Sequence, residues 1–359
     1  MKNKKYSPHP LPLSTWRGAL CHSVTTTLAG VRFSFLLFLA FTACSNNPST
    51  TTEAQAPAPA AKQIQIPDFN ADSAYNITKA QVDFGPRMPN TKQHDACGRY
   101  IISEIKQYCK DVTIQKCDVK GYDGTILHSE NIIANFYPEK KTHIMLCAHW
   151  DTRPWADQDT QPNWHKPILG ANDGASGVAV LIELARHIAA QQPNVGITMI
   201  FLDAEDYGAP EFTEQRDEDS YALGTQYWAK SINPDKYFAD YGILLDMVGG
   251  KDPRFMMEGV SMEYAPGPMK YVWDKAASLG YGDMFIAKTT SPIIDDHVYV
   301  NRIARIPTLD IVDYDANRHH GFPDTWHTLK DNMDNIDKAT LKAVGQTLLA
   351  VIYGEKGTE

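Results

Sequence analysis

From about Pro67 onward, two patterns of apolar residues alternate along the chain. Short continuous runs occur at 131–136, 143–148, 197–202, 242–245, 254–257 and 307–312. Runs of this length, rich in β-branched residues, read as buried strands. Between them, apolar positions return every three or four residues over 72–84, 92–109, 176–190, 269–279 and 338–353. That period predicts amphipathic helices. The segment 176–190 is the clearest, with Val180, Leu181, Leu184 and Ile188 on one stripe. Helices alternating with strands predict an α/β fold: a three-layer sandwich with a central mixed, mostly parallel sheet flanked by helices. Such sheets bind ligands beyond the carboxyl ends of their strands.

The first 44 residues break this pattern. They carry Lys2, Lys4, Lys5, Arg17 and Arg32 and no Asp or Glu, then an apolar run over 33–40, then Ala43-Cys44. A basic start, a short apolar run and a small residue before the cut predict a secretory signal. The run is too short to span a bilayer comfortably. Ala43-Cys44 is similar to a bacterial lipobox, which makes Cys44 the expected lipidated N-terminus of an exported protein facing the periplasm or cell surface. Residues 45–66 begin rich in Ser, Thr, Asn, Ala and Pro and read as a flexible tether. Residues 67–359 show no second linker and no repeat, which predicts a single catalytic domain.

The full chain has a net charge of −9. Taking away five positive charges and no negative one with the leader leaves −14. So acidic a body excludes nucleic acid as a plausible partner, and leaves the N-terminal lipid as the only expected contact with a membrane. Cys97, Cys109, Cys117 and Cys147 lie in the body without Cys-x-x-Cys spacing, which argues against a cysteine zinc site or redox pair. One disulfide among them is compatible with export, its pairing open.

The chemistry gathers where strands end. Glu205-Asp206 closes the run Ile200 to Gly208, and His149 and Asp151 follow the strand predicted over 143–148. Asp173 sits in the glycine-rich run Gly170 to Gly177, Asp246 ends another strand, and Asp295-Asp296-His297 and His327 follow. Singly, each has a plain explanation: a surface pair, a solvated turn, or for Asp173 a cap on the next helix. Jointly, carboxylates and imidazoles at successive strand ends supply what a nitrogen and oxygen zinc site needs. The chain has no His-Glu-x-x-His helix, Gly-x-Ser-x-Gly elbow or Walker A loop. Trp150, Trp155, Trp164, Phe322 and Trp326 crowd the same segments as core, rim or pocket wall.

With these residues assembled, the chain resembles the zinc aminopeptidase superfamily of α/β exopeptidases. Within it, the chain is most similar to the animal-type glutaminyl-peptide cyclotransferases, which have bacterial members. The similarity runs from about Asp72 to the C-terminus. Asp295-Asp296-His297 stands where aminopeptidases usually have Ser-Asp-His, and Trp326-His327-Thr328 where they have Tyr-His-Thr. Phe322 to Thr328 followed by Asp331-Asn332, and Leu244-Leu245-Asp246, look like the cyclase signature.

The resemblance implies one zinc per chain, held by Asp173, Asp206 and His327, with Glu205 as proton carrier. Asp246 and Asp295 form the acid network beside it, and Trp326 and Phe322 wall the substrate side chain. The expected substrates are peptides and exported proteins with N-terminal Gln, and a monomer is expected. Asp206 departs from the Glu of the animal enzymes, Ile294 from their Gln, and Ala209 to Ser220 diverges. Two other readings stay open. A two-zinc aminopeptidase would add His149 and Asp246, with Asp173 bridging. A binding protein that has lost catalysis would have no need of Glu205.

Overall fold

A computed structural model describes residues 65–358 apart from 215–216 and 234–236. The predicted leader, Cys44 and all but the last two residues of the tether lie outside the described residues. Eight strands are present among them: β1 (Val112–Lys120), β2 (Ile126–Phe136), β3 (His143–His149), β4 (Gly196–Leu202), β5 (Tyr241–Asp246), β6 (Phe255–Met257), β7 (Phe285–Thr289) and β8 (Thr308–Val312). The helices are α1 (Ala71–Val82), α2 (Lys92–Tyr108), α3 (Ala175–Ala190), α4 (Leu223–Ser231), α5 (Gly259–Tyr264), α6 (Pro266–Ser278), α7 (Asp296–Tyr299) and α8 (Lys338–Gly354).

Six strands form one mixed sheet in the order β1-β2-β4-β3-β5-β8. Its centre is parallel: β3 pairs with both β4 and β5, and β5 with β8. The β1–β2 hairpin adds an antiparallel edge. Strands β6 and β7 form a separate parallel pair.

The central strands are apolar throughout because helices cover both faces. Ile144, Leu146, Ile243 and Leu245 point into the larger core, with α1, α2, α3, α6 and α8. Met145, Cys147, Ile200, Leu202 and Leu244 face the other way, against Trp228 of α4 and Val300. Residues one apart go to opposite faces, so an unbroken apolar run serves two cores. Each fully buried Leu, Ile or Val contributes about 1.5–3 kcal/mol.

Helix α3 runs from the sheet's carboxyl edge back across its face. Gly177 lets it lie close to β5: a Cβ there would meet the Leu245 carbonyl oxygen at 2.4 Å. The helix is preceded by Gly174 in the left-handed region (φ 66°) and has no side-chain cap. Asp173 therefore does not cap α3, and its carboxylate is available for another role. Cys97, Cys109, Cys117 and Cys147 are all buried free thiols, so no disulfide forms among them. No helix of the described residues is long and apolar enough to cross a membrane.

Candidate active site

The parallel strands deliver their chemistry to one edge of the sheet. His149 and Asp246 are the last residues of β3 and β5, and Asp310 lies within β8. Asp173 comes from the loop before α3, Asp295 is the N-cap of α7, and His327 follows β8. Glu205 and Asp206 sit in the loop after β4, a few residues beyond the strand itself.

That loop is held by two acids. Asp203 accepts from the main-chain N–H groups of Glu130 (2.6 Å) and Ala204 (2.8 Å) and pairs with His94 (2.9 Å). Ala204 is left-handed (φ 52°), as are Met247 (φ 50°), next to Asp246, and His327 itself (φ 53°). Strained backbone of this kind costs about 1–3 kcal/mol per residue and persists where surrounding contacts over-determine it. Asp151 then accepts from the N–H groups of Glu205 (3.1 Å) and Asp206 (3.2 Å). It also stands 3.5 Å behind His149 Nδ1 as an ion-pair neighbour.

Asp173, Asp206 and His327 converge. His327 Nε2 lies 3.3 Å from Asp206 Oδ1 and 3.6 Å from Asp173 Oδ2. All three residues are buried, and Asp173 Oδ2 and Asp206 Oδ2 have no hydrogen-bond partner. Orphaned buried carboxylate oxygens are costly unless something positive meets them. One imidazole and two carboxylates, each with a ligand atom within 4.8 Å of the others, fit a zinc ion and leave a fourth position open; His149, Asp173 and Asp246 lie equally close to one another. Behind His327, Asp157 Oδ1 faces Nδ1 at 3.4 Å, a carboxylate backing of the kind that selects the metal-binding tautomer. Burial and Arg153 lower the His327 pKa, but Asp206 and Asp157 outweigh them and push it to about 9. Behind Asp173, Asp331 accepts from the N–H groups of Asn172 (2.8 Å) and Asp173 (3.1 Å) and fixes the glycine-rich loop.

A second group shares Asp173. His149 Nε2 lies 3.1 Å from Asp173 Oδ1 and 3.2 Å from Asp246 Oδ1. Burial works against an imidazolium here, yet Asp151, Asp173 and Asp246 hold its pKa well above the usual value. Burial also raises the carboxyl of Glu205 well above the ordinary range, with Asp206 and Asp295 adding to it against His149. Asp246 is pushed to about 7, chiefly by burial and then by Asp295 and Asp173, against its bond to His149.

These groups open into one cavity of about 270 Å³, lined by Asp173, Glu205, Asp206, Asp246, Asp295 and His327 on its polar side. Met247, Ile293, Ile294, Tyr314, Phe322 and Trp326 form its apolar side. Trp326 stacks on His327 at 3.9 Å between ring centroids, and Phe322 packs on Trp326 at 4.3 Å. A larger hollow of about 510 Å³ lies between α2 and the β1–β2 hairpin. Its ionisable groups include the pairs His128–Asp118 (2.7 Å) and Lys116–Glu130 (3.1 Å), without a convergent cluster.

Residues 131–352 match the model of Peptidase family M28. The chain belongs to that family. A glutaminyl cyclase of Bacteroides thetaiotaomicron, solved bound to N-acetylhistamine, is 55% identical with a TM-score of 0.79, covering 81% of this chain and 100% of that one. A leucine aminopeptidase precursor from the same organism is 54% identical, also at TM-score 0.79, covering 82% and 100%. The glutaminyl-peptide cyclotransferase of Drosophila melanogaster is 27% identical over 304 residues, 76% of this chain and 79% of that protein.

Of the residues singled out from the sequence, Asp173, Glu205, Asp206, Asp246, Asp295, Phe322, Trp326 and His327 line this cavity, whereas His149, Asp151, Asp296 and His297 are buried outside its lining. The other tryptophans part company: Trp150 is buried against His94, Trp155 packs with Tyr122 and Tyr207, and Trp164 stacks on Phe212. Sequence reasoning missed Arg153, Asp157, Asp203, Glu258 and Asp310. Two had a signal. Asp310 is a lone charge inside the apolar run of β8, and Arg153 and Asp157 stand four apart beside the His149 segment.

Proposed function

We propose that this M28 chain is a glutaminyl-peptide cyclotransferase. It converts the N-terminal Gln of peptides, and more slowly Glu, to pyroglutamate, releasing ammonia from Gln. The observation that carries this reading is the single cavity in which Glu205, Asp246 and Asp295 face an apolar wall of Phe322, Trp326 and Ile293. Carboxylates suit a cationic α-amine, and the apolar wall suits the methylenes of one side chain. A cavity of about 270 Å³ has room for little more.

The zinc would be held by Asp173, Asp206 and His327, one ion per chain. When bound there it polarises the side-chain carbonyl as a Lewis acid. The other steps belong to the protein. The α-amine, with an ordinary pKa of about 7.7–8.0, must lose a proton before it attacks. Glu205 accepts that proton and passes it to the departing nitrogen, which leaves as ammonia while the amine nitrogen closes the ring and gives its second proton back to Glu205. Its burial among other acids favours the protonated form that the second transfer needs. Asp246 and Asp295 orient the amine, and because close carboxylates rarely both ionise they share a proton. Phe322 and Trp326 hold the side chain folded toward the amine and keep water from competing.

The sister reading, a two-zinc aminopeptidase, needs His149 as a ligand with Asp173 and Asp246. In that group His149 Nε2 already engages Asp173 Oδ1 and Asp246 Oδ1, and neither of those oxygens is orphaned. Lipidation at Cys44 would present the domain to other exported proteins, its expected substrates.

The test is an ammonia-release assay on a Gln-initiated peptide beside a Leu-initiated one, with mass spectrometry of both. Ammonia from the first and no change in the second is the expected result. Release of the first amino acid from either peptide contradicts the reading.

A further inference from the structure

Arg153 is wholly buried in the loop after β3, and its donors are distributed with a purpose. Nε and Nη2 donate to Asp157 Oδ1 (2.8 Å) and Oδ2 (2.6 Å) in a two-pronged pair. Nη1 donates to the Asp206 carbonyl (3.1 Å) and to Asp206 Oδ1 (3.3 Å). Nη2 also reaches the Tyr221 hydroxyl (3.2 Å) on the cavity wall. Asp157 Oδ1, the oxygen that accepts from Nε, also faces His327 Nδ1 at 3.4 Å.

A single guanidinium thus touches one candidate zinc ligand directly and backs a second through one carboxylate. Engaging Asp206 Oδ1 leaves Oδ2 as the orphaned oxygen. Backing His327 at Nδ1 leaves Nε2 turned toward Asp173 and Asp206. We propose that Arg153 is a positioning residue for the zinc: it chooses which oxygen of Asp206 and, through Asp157, which nitrogen of His327 meets the metal. The proposal rests on the zinc reading above.

The chemistry requires arginine. Only a planar fork with five donors can bind Asp157 at two points and still reach Asp206 and Tyr221. Lysine offers a point charge with three donors. A positive charge so near a cation site would ordinarily repel a metal, but the paired Asp157 neutralises it locally. The bond from Arg153 Nη1 to the main-chain carbonyl of Asp206 also bears on the shorter ligand. Aspartate reaches less far than glutamate, so the position of its backbone must be set, and Arg153 sets it.

The test uses purified full-length protein and four forms: parent, Arg153→Lys, Asp157→Asn and Asp173→Asn. Zinc affinity is measured by competition with a chelator, and thermal unfolding is followed on the zinc-free proteins. Loss of an outer partner of a metal ligand typically weakens binding about 10–100-fold, and that loss is expected for Arg153→Lys and Asp157→Asn with the zinc-free fold retained. A folded Arg153→Lys protein that binds zinc within about twofold of the parent, far short of that loss, overturns the proposal. Should Arg153→Lys not fold, Asp157→Asn decides by the same criterion. A parent that binds no zinc, or an Asp173→Asn protein that binds it as tightly, overturns the zinc reading first and the proposal with it.

Discussion

Two histidine–carboxylate groups share Asp173, and they are built differently. Around His327, the buried oxygens Asp173 Oδ2 and Asp206 Oδ2 lack donors, and Asp157, clamped by Arg153, stands behind the imidazole. Around His149, Nε2 already sits between Asp173 Oδ1 and Asp246 Oδ1, and Asp151 behind it uses both oxygens on main-chain N–H groups. The first group has free atoms for a cation. The second is close enough to hold an ion as well, but there His149 Nε2 already lies against the facing oxygens of Asp173 and Asp246 and the imidazole supplies the positive charge. Both contain one histidine and two aspartates at the same edge of the sheet, so residue type does not separate a metal site from an ion-pair cluster. The surrounding layer does.

The largest effect expected from changing one residue between the groups is at Glu205. Its Oε2 is 4.0 Å from His149 Nδ1, on the side of the second group. Glu205→Gln keeps the shape and removes the proton carrier, so kcat should fall by about 10²–10⁴-fold, the range for general acid–base catalysis. Zinc content should not change. Zinc lost along with activity would make Glu205 a ligand and erase the division between the groups.

A third buried group extends the comparison. His297 Nε2 lies 3.0 Å from Glu258 Oε1 and its Nδ1 lies 3.7 Å from Asp310 Oδ2. Glu258 also accepts from the N–H groups of Val260 and Ser261 as the cap of α5. Burial alone would raise the Glu258 carboxyl, but His297 and the α5 donors overcome it and bring the pKa to about 2. A carboxyl lowered in the folded state contributes stability above its unfolded pKa and loses it as pH falls through the folded one. Between pH ~4.5 and ~2 the parent should therefore lose about 3 kcal/mol from this group. Glu258→Gln should be less stable at neutral pH and flatter through that window in denaturant titrations. Parallel curves for the two proteins would remove Glu258 from the stability account.

The sequence showed the fold where burial is complete. Strands β3, β4, β5 and β8 are buried almost throughout, so each carries an apolar run, broken in β8 only by Asp310. Strand β1 alternates Lys116, Asp118 and Lys120 with half-buried neighbours on an open edge, and no apolar run marks it. Strand β7 is five residues long with an exposed Lys288, and α4 follows a left-handed Ala222 without a side-chain cap. The same division holds for the site. Asp246 and Asp295, facing the cavity, stand at the end of a strand and the cap of a helix, and Asp173, Glu205 and Asp206 lie within a few residues of α3 and β4. Those that support them, such as Arg153 and Asp157, lie in an irregular loop whose path is set by tertiary contacts, and spacing carries no record of which ligand they back.

The most direct measurement is the zinc content per chain, by elemental analysis of the parent, His149→Ala and His327→Ala proteins at saturating zinc. The account predicts one ion in the parent, one in His149→Ala and loss of tight binding in His327→Ala, beyond the ~100-fold that an outer-layer change costs. Two ions in the parent, with one lost in His149→Ala, would contradict it and return the site to the two-metal peptidases.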